Sequence, residues 1–261
     1  MPRIKDAWGI EVGANAIKVI HLVRNGPKID LADYDVLDFK QILTTPDLDV
    51  DEAIRGNLGK LLSRHDLSRS TISVSVPGHM AFARFAKLPP VELKRIPDIV
   101  KFEAVQQVPF PIDQVEWDYQ VFQQEGSPDV GVGIFAITKE RVARLLSNYQ
   151  AVGLAVHGLT LSPLAVYNAL AYDMDLSDDS AGVVFMDIGT SNTDMIIVEG
   201  GPLPEGVQGG PERLLGKALV EHVDIVLGQC NPRRYQIGIT LGIHLGVHLE
   251  GLALARVVNR P

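Results

Sequence analysis

The chain has 261 residues, 46% hydrophobic and 21% charged, which is enough apolar material for one large domain or two modest ones. Its formal net charge of −8 argues against a nucleic-acid binder, which would carry a basic stripe. A single cysteine, Cys230, rules out an internal disulfide; the first residues carry no apolar signal segment, and Ile237–Leu249 is too short and too broken by Gly and His to span a membrane, so a soluble, cytoplasmic chain is expected.

Three strands come first, at Ala7–Val12, Ala16–Val23 and Ile29–Phe39, with a turn at Asn25-Gly26 between the last two. Asp49 followed by Glu52 is a capping box, and it opens a helix whose Ile54, Leu58, Leu61 and Leu62 share a face. Ser70–Val76 alternates strictly as a strand and stops at Pro77-Gly78. A different block then interrupts this β-β-β-α-β order. Ala81–Leu88 reads as a strand, and Val91–Val108 as a helix whose start Pro97 draws towards itself. Pro109-Phe110-Pro111 ends that helix, and strands follow at Trp117–Gln123 and Val130–Ile137. Thr138 caps a helix carrying Val142, Leu145, Leu146 and Tyr149, with Gly153 just past its end. A strand at Leu154–Leu161, a helix at Pro163–Tyr172 and a polar linker at Leu176–Ser180 complete this part.

Gly182–Gly201 reads GVVFMDIGTSNTDMIIVEGG, two apolar runs around a glycine turn, with Asp187 at the tip. Near the N-terminus WGIEVGANAIKV repeats the pattern, with Glu11 in the place of Asp187 and Gly13 in the place of Gly189. Two such hairpins suggest two similar halves closing on one ligand. Glycine lets backbone N–H groups approach phosphate oxygens, and Thr190 and Ser191 add hydroxyl donors. Carboxylates suit a hydrated Mg²⁺, so Asp187 and Glu11 are the metal candidates. Lys18 supplies positive charge if its strand faces the cleft. Taken alone, each hairpin is better explained as a simple turn with a solvated acid; only the pair points to a phosphate site.

Beyond Gly201 the pattern weakens. Leu214–Gly228 fits one helix, and Pro232–Pro261 has no clean period. His244 and His248, with Glu250 nearby, have a ligand-like spacing but no HExxH motif. Cys230 has no identifiable catalytic partner, Arg233-Arg234 reads as a solvated pair, and Gly131-Val132-Gly133 lies inside a strand rather than at a dinucleotide turn. Phe110, Trp117 and Tyr119 read first as core.

The order of these elements resembles the actin-like ATPases and, within them, the type IV pilus assembly PilM family, relatives of the cell-division protein FtsA. The resemblance rests on WGIEVGANAIKVI, on VSVPGHMAFARFAKLPPVE with IVKFEAVQQVPFPIDQVEWDYQVF, on LTLSPLAVYNAL and on GVVFMDIGTSNTDMIIVEGG, about residues 7–201 in all. It implies an α/β, actin-like (ribonuclease H-like) first half of order β-β-β-α-β-α-β-α, from residues 1–77 and 153–178. A small α/β subdomain would be inserted at 78–152, and 182–261 would form an incomplete second half. It also implies ATP held at Gly13, Ala14, Asn15, Lys18, Gly189, Thr190 and Ser191, with Mg²⁺ at Asp187 and Glu11. The partner implied is the N-terminal cytoplasmic peptide of a PilN-like membrane protein, bound as an extended segment, with the assembly motor beyond it. The chain would then be a scaffold at the inner membrane, and at most a weak ATPase. The family's first hairpin carries aspartate where Glu11 stands, and no later adenosine loop is visible after Gly201. A truncated, frame-shifted or divergent tail each accounts for that. The rival readings are a scaffold without nucleotide and a small-molecule kinase of the same superfamily.

Overall fold

In a computed structural model, which describes residues 5–123, 130–173, 183–198, 218–222, 237–240 and 252–257, the N-terminal elements are β1 (Asp6–Val12), β2 (Ala16–Asn25), β3 (Lys28–Asp38), α1 (Val50–Arg64) and β4 (Thr71–Val76). Then come β5 (Phe82–Leu88), α2 (Ile96–Gln107), β6 (Val115–Gln123), β7 (Val130–Thr138), α3 (Lys139–Ala151), β8 (Gly158–Leu161) and α4 (Ser162–Asp173). β9 (Val183–Ile188), β10 (Thr193–Val198), β11 (Ala218–His222), β12 (Ile237–Thr240) and β13 (Leu252–Val257) follow. The chain divides into two compact units: Met1–Pro77 with Glu140–Ser162 and Gly189–Ser191, and Gly78–Lys139 with Pro163–Ile188 and Asn192–Pro261.

The first unit is built on a five-stranded sheet of order β3-β2-β1-β4-β8. β1, β2 and β3 are antiparallel neighbours, whereas β4 and β8 run parallel to β1. With α1 before β4, α3 before β8 and, in the second unit, α4 after it, the elements follow the expected β-β-β-α-β-α-β-α order, interrupted between β4 and α3 by β5, α2, β6 and β7. Alternate residues turn Trp8, Ile10, Ile17, Val19, Ile72 and Val74 to one face, where Leu58 and Leu61 of α1 and Tyr149 of α3 pack on them. Each such fully buried leucine contributes roughly 1.5–3 kcal/mol.

Local chemistry sets the element ends. At the β2–β3 turn Asn25 pairs with Lys28, so Gly26 and Pro27 are the central residues, and Gly26 takes φ +63° at the first of them. Asp49 caps α1 by accepting the Glu52 N–H at 2.9 Å, as the capping box requires. Buried Asn57 donates to the carbonyls of Leu37 and Asp38 at 2.9 and 3.1 Å and so ties α1 to the end of β3. α3 ends in a Schellman motif: Leu154 N–H reaches Tyr149 O at 2.9 Å, Gly153 N–H reaches Gln150 O at 3.0 Å, and Gly153 takes φ +75°. Asn148 of α3 donates to Asp51 of α1 at 2.9 Å; this bond, with Arg144 and Arg55 nearby, holds the Asp51 carboxyl below the usual carboxylate range despite partial burial.

The second unit contains a three-stranded antiparallel sheet, β5-β7-β6. Val100 and Ala104 of α2 pack with Val132 and Ile134 of β7 in its core. The helix expected from Val91 begins at Ile96, after a short 3₁₀ turn at Leu93–Arg95. Pro97 has no N–H to donate, and only the first turn of a helix tolerates that. Gly131-Val132-Gly133 lies within β7, inside a strand as expected. This unit also holds an antiparallel sheet of order β11-β10-β9-β13-β12, in which Ile196 stands opposite Phe185, both buried.

The helix expected over Leu214–Gly228 is not formed where the structure describes it: Ala218–His222 is a strand, pairing with β10 from Ala218 opposite Val198 to His222 opposite Asp194. Short apolar runs fit helix and strand equally well, and here the open edge of β10 decides. Strands β12 and β13 also lie in the stretch read as lacking a period. Cys230, Arg233-Arg234, His244, His248 and Glu250 lie outside the described residues, as does the linker Leu176–Ser180.

Candidate functional site

The first hairpin is formed by β1 and β2, with Val12 opposite Ile17 and Glu11 opposite Lys18. That register puts the carboxylate and the ammonium on one face of the sheet, with Lys18 Nζ 3.8 Å from Glu11 Oε2. Both side chains are more than one-third exposed, at 35% and 37%, so the pair is weak, worth about 0–1 kcal/mol, and holds Lys18 back little from a phosphate. At the tip Gly13 N–H donates to Ala16 O at 3.0 Å. A Cβ on Gly13 would lie 3.3 Å from that same oxygen, so glycine gives the turn room to close, and its own N–H is engaged there. The carbonyls of Ala14 and Asn15 accept N–H groups of Leu43 and Phe39, each at 2.8 Å. These two carbonyl dipoles are therefore satisfied within the unit. The donor set fits an anion through Lys18 rather than through Gly13.

The second hairpin is formed by β9 and β10. Ile188 pairs with Thr193, which leaves residues 189–192 as the loop, and Gly189, Thr190 and Ser191 are exposed there. Asp187 sits one residue before the end of β9, and Asp194 stands directly opposite it on β10. Asp194 is a feature the sequence reading missed. The signal was present, since a four-residue loop after Ile188 makes Asp187 and Asp194 cross-strand partners. Facing carboxylates are costly unless a cation or donors lie by them, and oxygen ligands of this kind suit Mg²⁺. Asp194 also packs on Gly78: a Cβ there would lie 2.7 Å from Asp194 Oδ1 and 3.0 Å from Pro163 Cγ. A side chain at Gly78 would thus have to shift the Asp194 carboxylate and press on Pro163, which its reading as a strand terminator did not reveal.

Glu11 and Lys18 belong to the first unit together with Gly13, Ala14, Asn15 and Gly189–Ser191, and Asp187 belongs to the second. Among the described residues no group of three or more His, Cys, Asp and Glu side chains is arranged to hold a metal ion. A magnesium ion at Asp187 would therefore take most of its ligands from water and phosphate, as this ion commonly does. Phe110 is exposed at 42%, whereas Trp117 and Tyr119 pack against the core of the second unit, as read.

A second titratable cluster lies at the other end of the first sheet, on its core side. His21 stacks on Trp8, with ring centroids 4.5 Å apart, and its Nε2 is 3.0 Å from Asp6 Oδ1, which also accepts the Ser70 hydroxyl. His65, just past α1, puts Nδ1 3.1 Å from Asp33 and Nε2 3.1 Å from Asp35. Burial alone would raise the Asp35 carboxyl, but bonds from Arg64 at 2.9 Å and from His65 outweigh it and hold it below the usual range.

The model of the family described as type IV pilus assembly protein PilM matches residues 9–203. The chain belongs to the PilM family. It is similar to a PilM chain solved as a PilM–PilN type IV pilus biogenesis complex, with 26% identity and a TM-score of 0.58 over 77% of this chain and 60% of that one. It therefore spans about three fifths of the length of that PilM chain. Weaker likenesses are to the cytoplasmic domain of EpsL from Vibrio cholerae, an inner-membrane component of type II secretion (8% identity, TM-score 0.44, 75% and 68% of the two chains). Another is to a Bacteroides thetaiotaomicron protein with an actin-like ATPase fold (11% identity, TM-score 0.40, 77% and 68%). No curated protein matches the chain. Among the described residues no helix is long and apolar enough to cross a membrane.

Proposed function

We propose that this PilM-family chain is a cytoplasmic scaffold of type IV pilus assembly that binds the N-terminal cytoplasmic peptide of a PilN-like membrane protein. The observation that carries the reading is the likeness to the PilM chain of a PilM–PilN complex, over 77% of this chain. Peripheral placement at the inner membrane follows from such a partner, and contact with motor components would follow from the scaffold role. The same reading divides the chain into an actin-like first subdomain from 1–77 and 153–178, an inserted subdomain from 78–152 and an incomplete second half from 182–261.

In the same reading ATP with Mg²⁺ is the ligand of the hairpin residues. Lys18 meets phosphate charge, Ala14, Asn15, Gly189, Thr190 and Ser191 frame it, Gly13 makes the room, and Asp187 with Glu11 faces the metal. Nucleotide then acts as a switch only to the extent that it binds one conformation more tightly than another. A second reading, a scaffold without nucleotide, is favoured by the Gly13 N–H, which donates to Ala16 O at 3.0 Å and so is already engaged within the turn.

Titration calorimetry of the chain with a synthetic PilN-like N-terminal peptide, with and without Mg²⁺–ATP, tests both. Saturable peptide binding supports the scaffold, and its absence in both conditions sinks it. Peptide binding without nucleotide heat selects the second reading.

A further inference from the structure

Two of the sheets end in a strand that carries the same device. β3 is an edge strand of the first sheet, and eight of its eleven residues are exposed. β6 is an edge strand of the three-stranded sheet. On β3, Asp33 Oδ1 accepts the N–H of Tyr34 and Asp35 Oδ1 accepts the N–H of Val36, both at 2.8 Å. On β6, Asp118 Oδ1 accepts the N–H of Tyr119, again at 2.8 Å. Residues two apart on a strand send their N–H groups the same way. Phe39 N–H donates to Asn15 O at 2.8 Å in the same unbroken register, so the odd-numbered residues turn theirs to β2, and Tyr34 and Val36 present theirs to the open edge. These are the donors that an added strand would use, and each is already taken by the preceding aspartate.

The β3 guards are held from behind. Asp33 keeps Oδ1 on the backbone and Oδ2 on His65 Nδ1 at 3.1 Å. Asp35 does the same with His65 Nε2 at 3.1 Å and Arg64 at 2.9 Å. Without the acids, the segment from Leu31 to Leu37 would be an apolar, β-prone edge, for Leu31, Tyr34 and Val36 are exposed.

We propose that Asp33, Asp35 and Asp118 close the β3 and β6 edges to strand addition, and that His65 and Arg64 fix the closure on β3. The strand excluded is above all the same strand of a second copy of this chain, whose β3 carries the same apolar residues. An incoming strand would have to displace a carboxylate from each donor and set its own carbonyl beside that charge. A partner peptide that adds as a β-strand is by the same argument kept off these two edges.

The test is sedimentation velocity of the whole chain over a range of concentrations for the parent, for D33A/D35A and for D118A. Circular dichroism identifies which variants are folded, and hydrogen exchange reports the Tyr34 and Tyr119 amides. D33A/D35A is expected to self-associate at least about tenfold more tightly than the parent, a change of about 1.4 kcal/mol. Adding Tyr34→Pro, which deletes an edge donor at a position where proline is tolerated, should return it to the parent's behaviour. D118A breaks no ion pair of the α1–β3 junction, so it decides the matter alone if D33A/D35A is unfolded. The proposal is overturned if every folded variant sediments as the parent does, or if Tyr34→Pro leaves the association of D33A/D35A unchanged.

Discussion

Asp194 stands directly opposite Asp187 across the β9–β10 ladder, so two carboxylates face the same side of one hairpin beside the Gly189–Asn192 loop. Cross-strand partners have Cβ atoms about 4.5–5.5 Å apart, a span that one hydrated cation can serve. Mg²⁺–ATP is therefore expected to raise the melting temperature of the parent, and Asp187→Asn and Asp194→Asn should each lose most of that rise. Thermal scans with Mg²⁺ alone, ATP alone and both together check this. A full shift in both variants would remove the pair from any nucleotide site.

Gly78 carries a separate expectation. A methyl group there would meet the Asp194 carboxylate at 2.7 Å and Pro163 at 3.0 Å, and a proline ring cannot swing aside. Overpacking of this kind costs about 1–3 kcal/mol. Gly78→Ala should lower unfolding stability by that amount in a urea titration. Asp194→Ala in the same chain should recover part of it, because it removes one of the two obstacles. Strictly additive losses would show that the contact does not matter.

Much of the first unit was legible from residues alone because its signals are local. Asp49 and Glu52 announce a helix start, Gly153 its partner's end, and the alternation of Thr71–Val76 a strand. The paired hairpins were legible for the same reason. The strand at Ala218–His222 was not: its short apolar run fits a helix as well, and only pairing with β10 decides. Asp194 and Gly78 were missed because their meaning lies in what each faces, Asp187 across a ladder and a distant carboxylate respectively. Nothing in the sequence singles out the aspartates of β3; their bonds to the Tyr34 and Val36 N–H groups take on meaning only from that strand's place at the sheet edge.

Acid should loosen the first unit at identifiable points. Asp6 is held low chiefly by the Ser70 hydroxyl and by His21, against the opposing effect of burial. Asp51 is held low chiefly by Asn148, and Asp35 by Arg64 and His65 in spite of burial. A carboxyl depressed in the folded state contributes stability that is present above its ordinary value near 4 and lost as pH falls through the lower folded value. Unfolding free energy should thus decline from about pH 5 downwards. Asp51→Asn should start lower at neutral pH and decline less steeply over the same interval, because it has one fewer proton to take up. Urea titrations at a series of pH values measure both slopes, and equal slopes would discount Asp51.

Lys18 offers the most direct test of the first hairpin. Its 3.8 Å contact with Glu11 is exposed and weak, so Lys18→Gln should cost the fold no more than about 1 kcal/mol, a melting shift within about 4 °C. If the lysine meets phosphate charge, the same change should weaken Mg²⁺–ATP binding about tenfold or more, as expected for losing a charge-assisted bond of about 1.5–3 kcal/mol. Glu11→Asp, which shortens the side chain by one methylene and opens a contact worth no more than about 1 kcal/mol, should change that affinity far less than Lys18→Gln does. Calorimetric titration at low and at high salt separates these outcomes, since an interaction through Lys18 weakens with ionic strength in the parent and should do so less in Lys18→Gln. Parent-like affinity and salt dependence in Lys18→Gln would leave the lysine as the partner of Glu11 and nothing more.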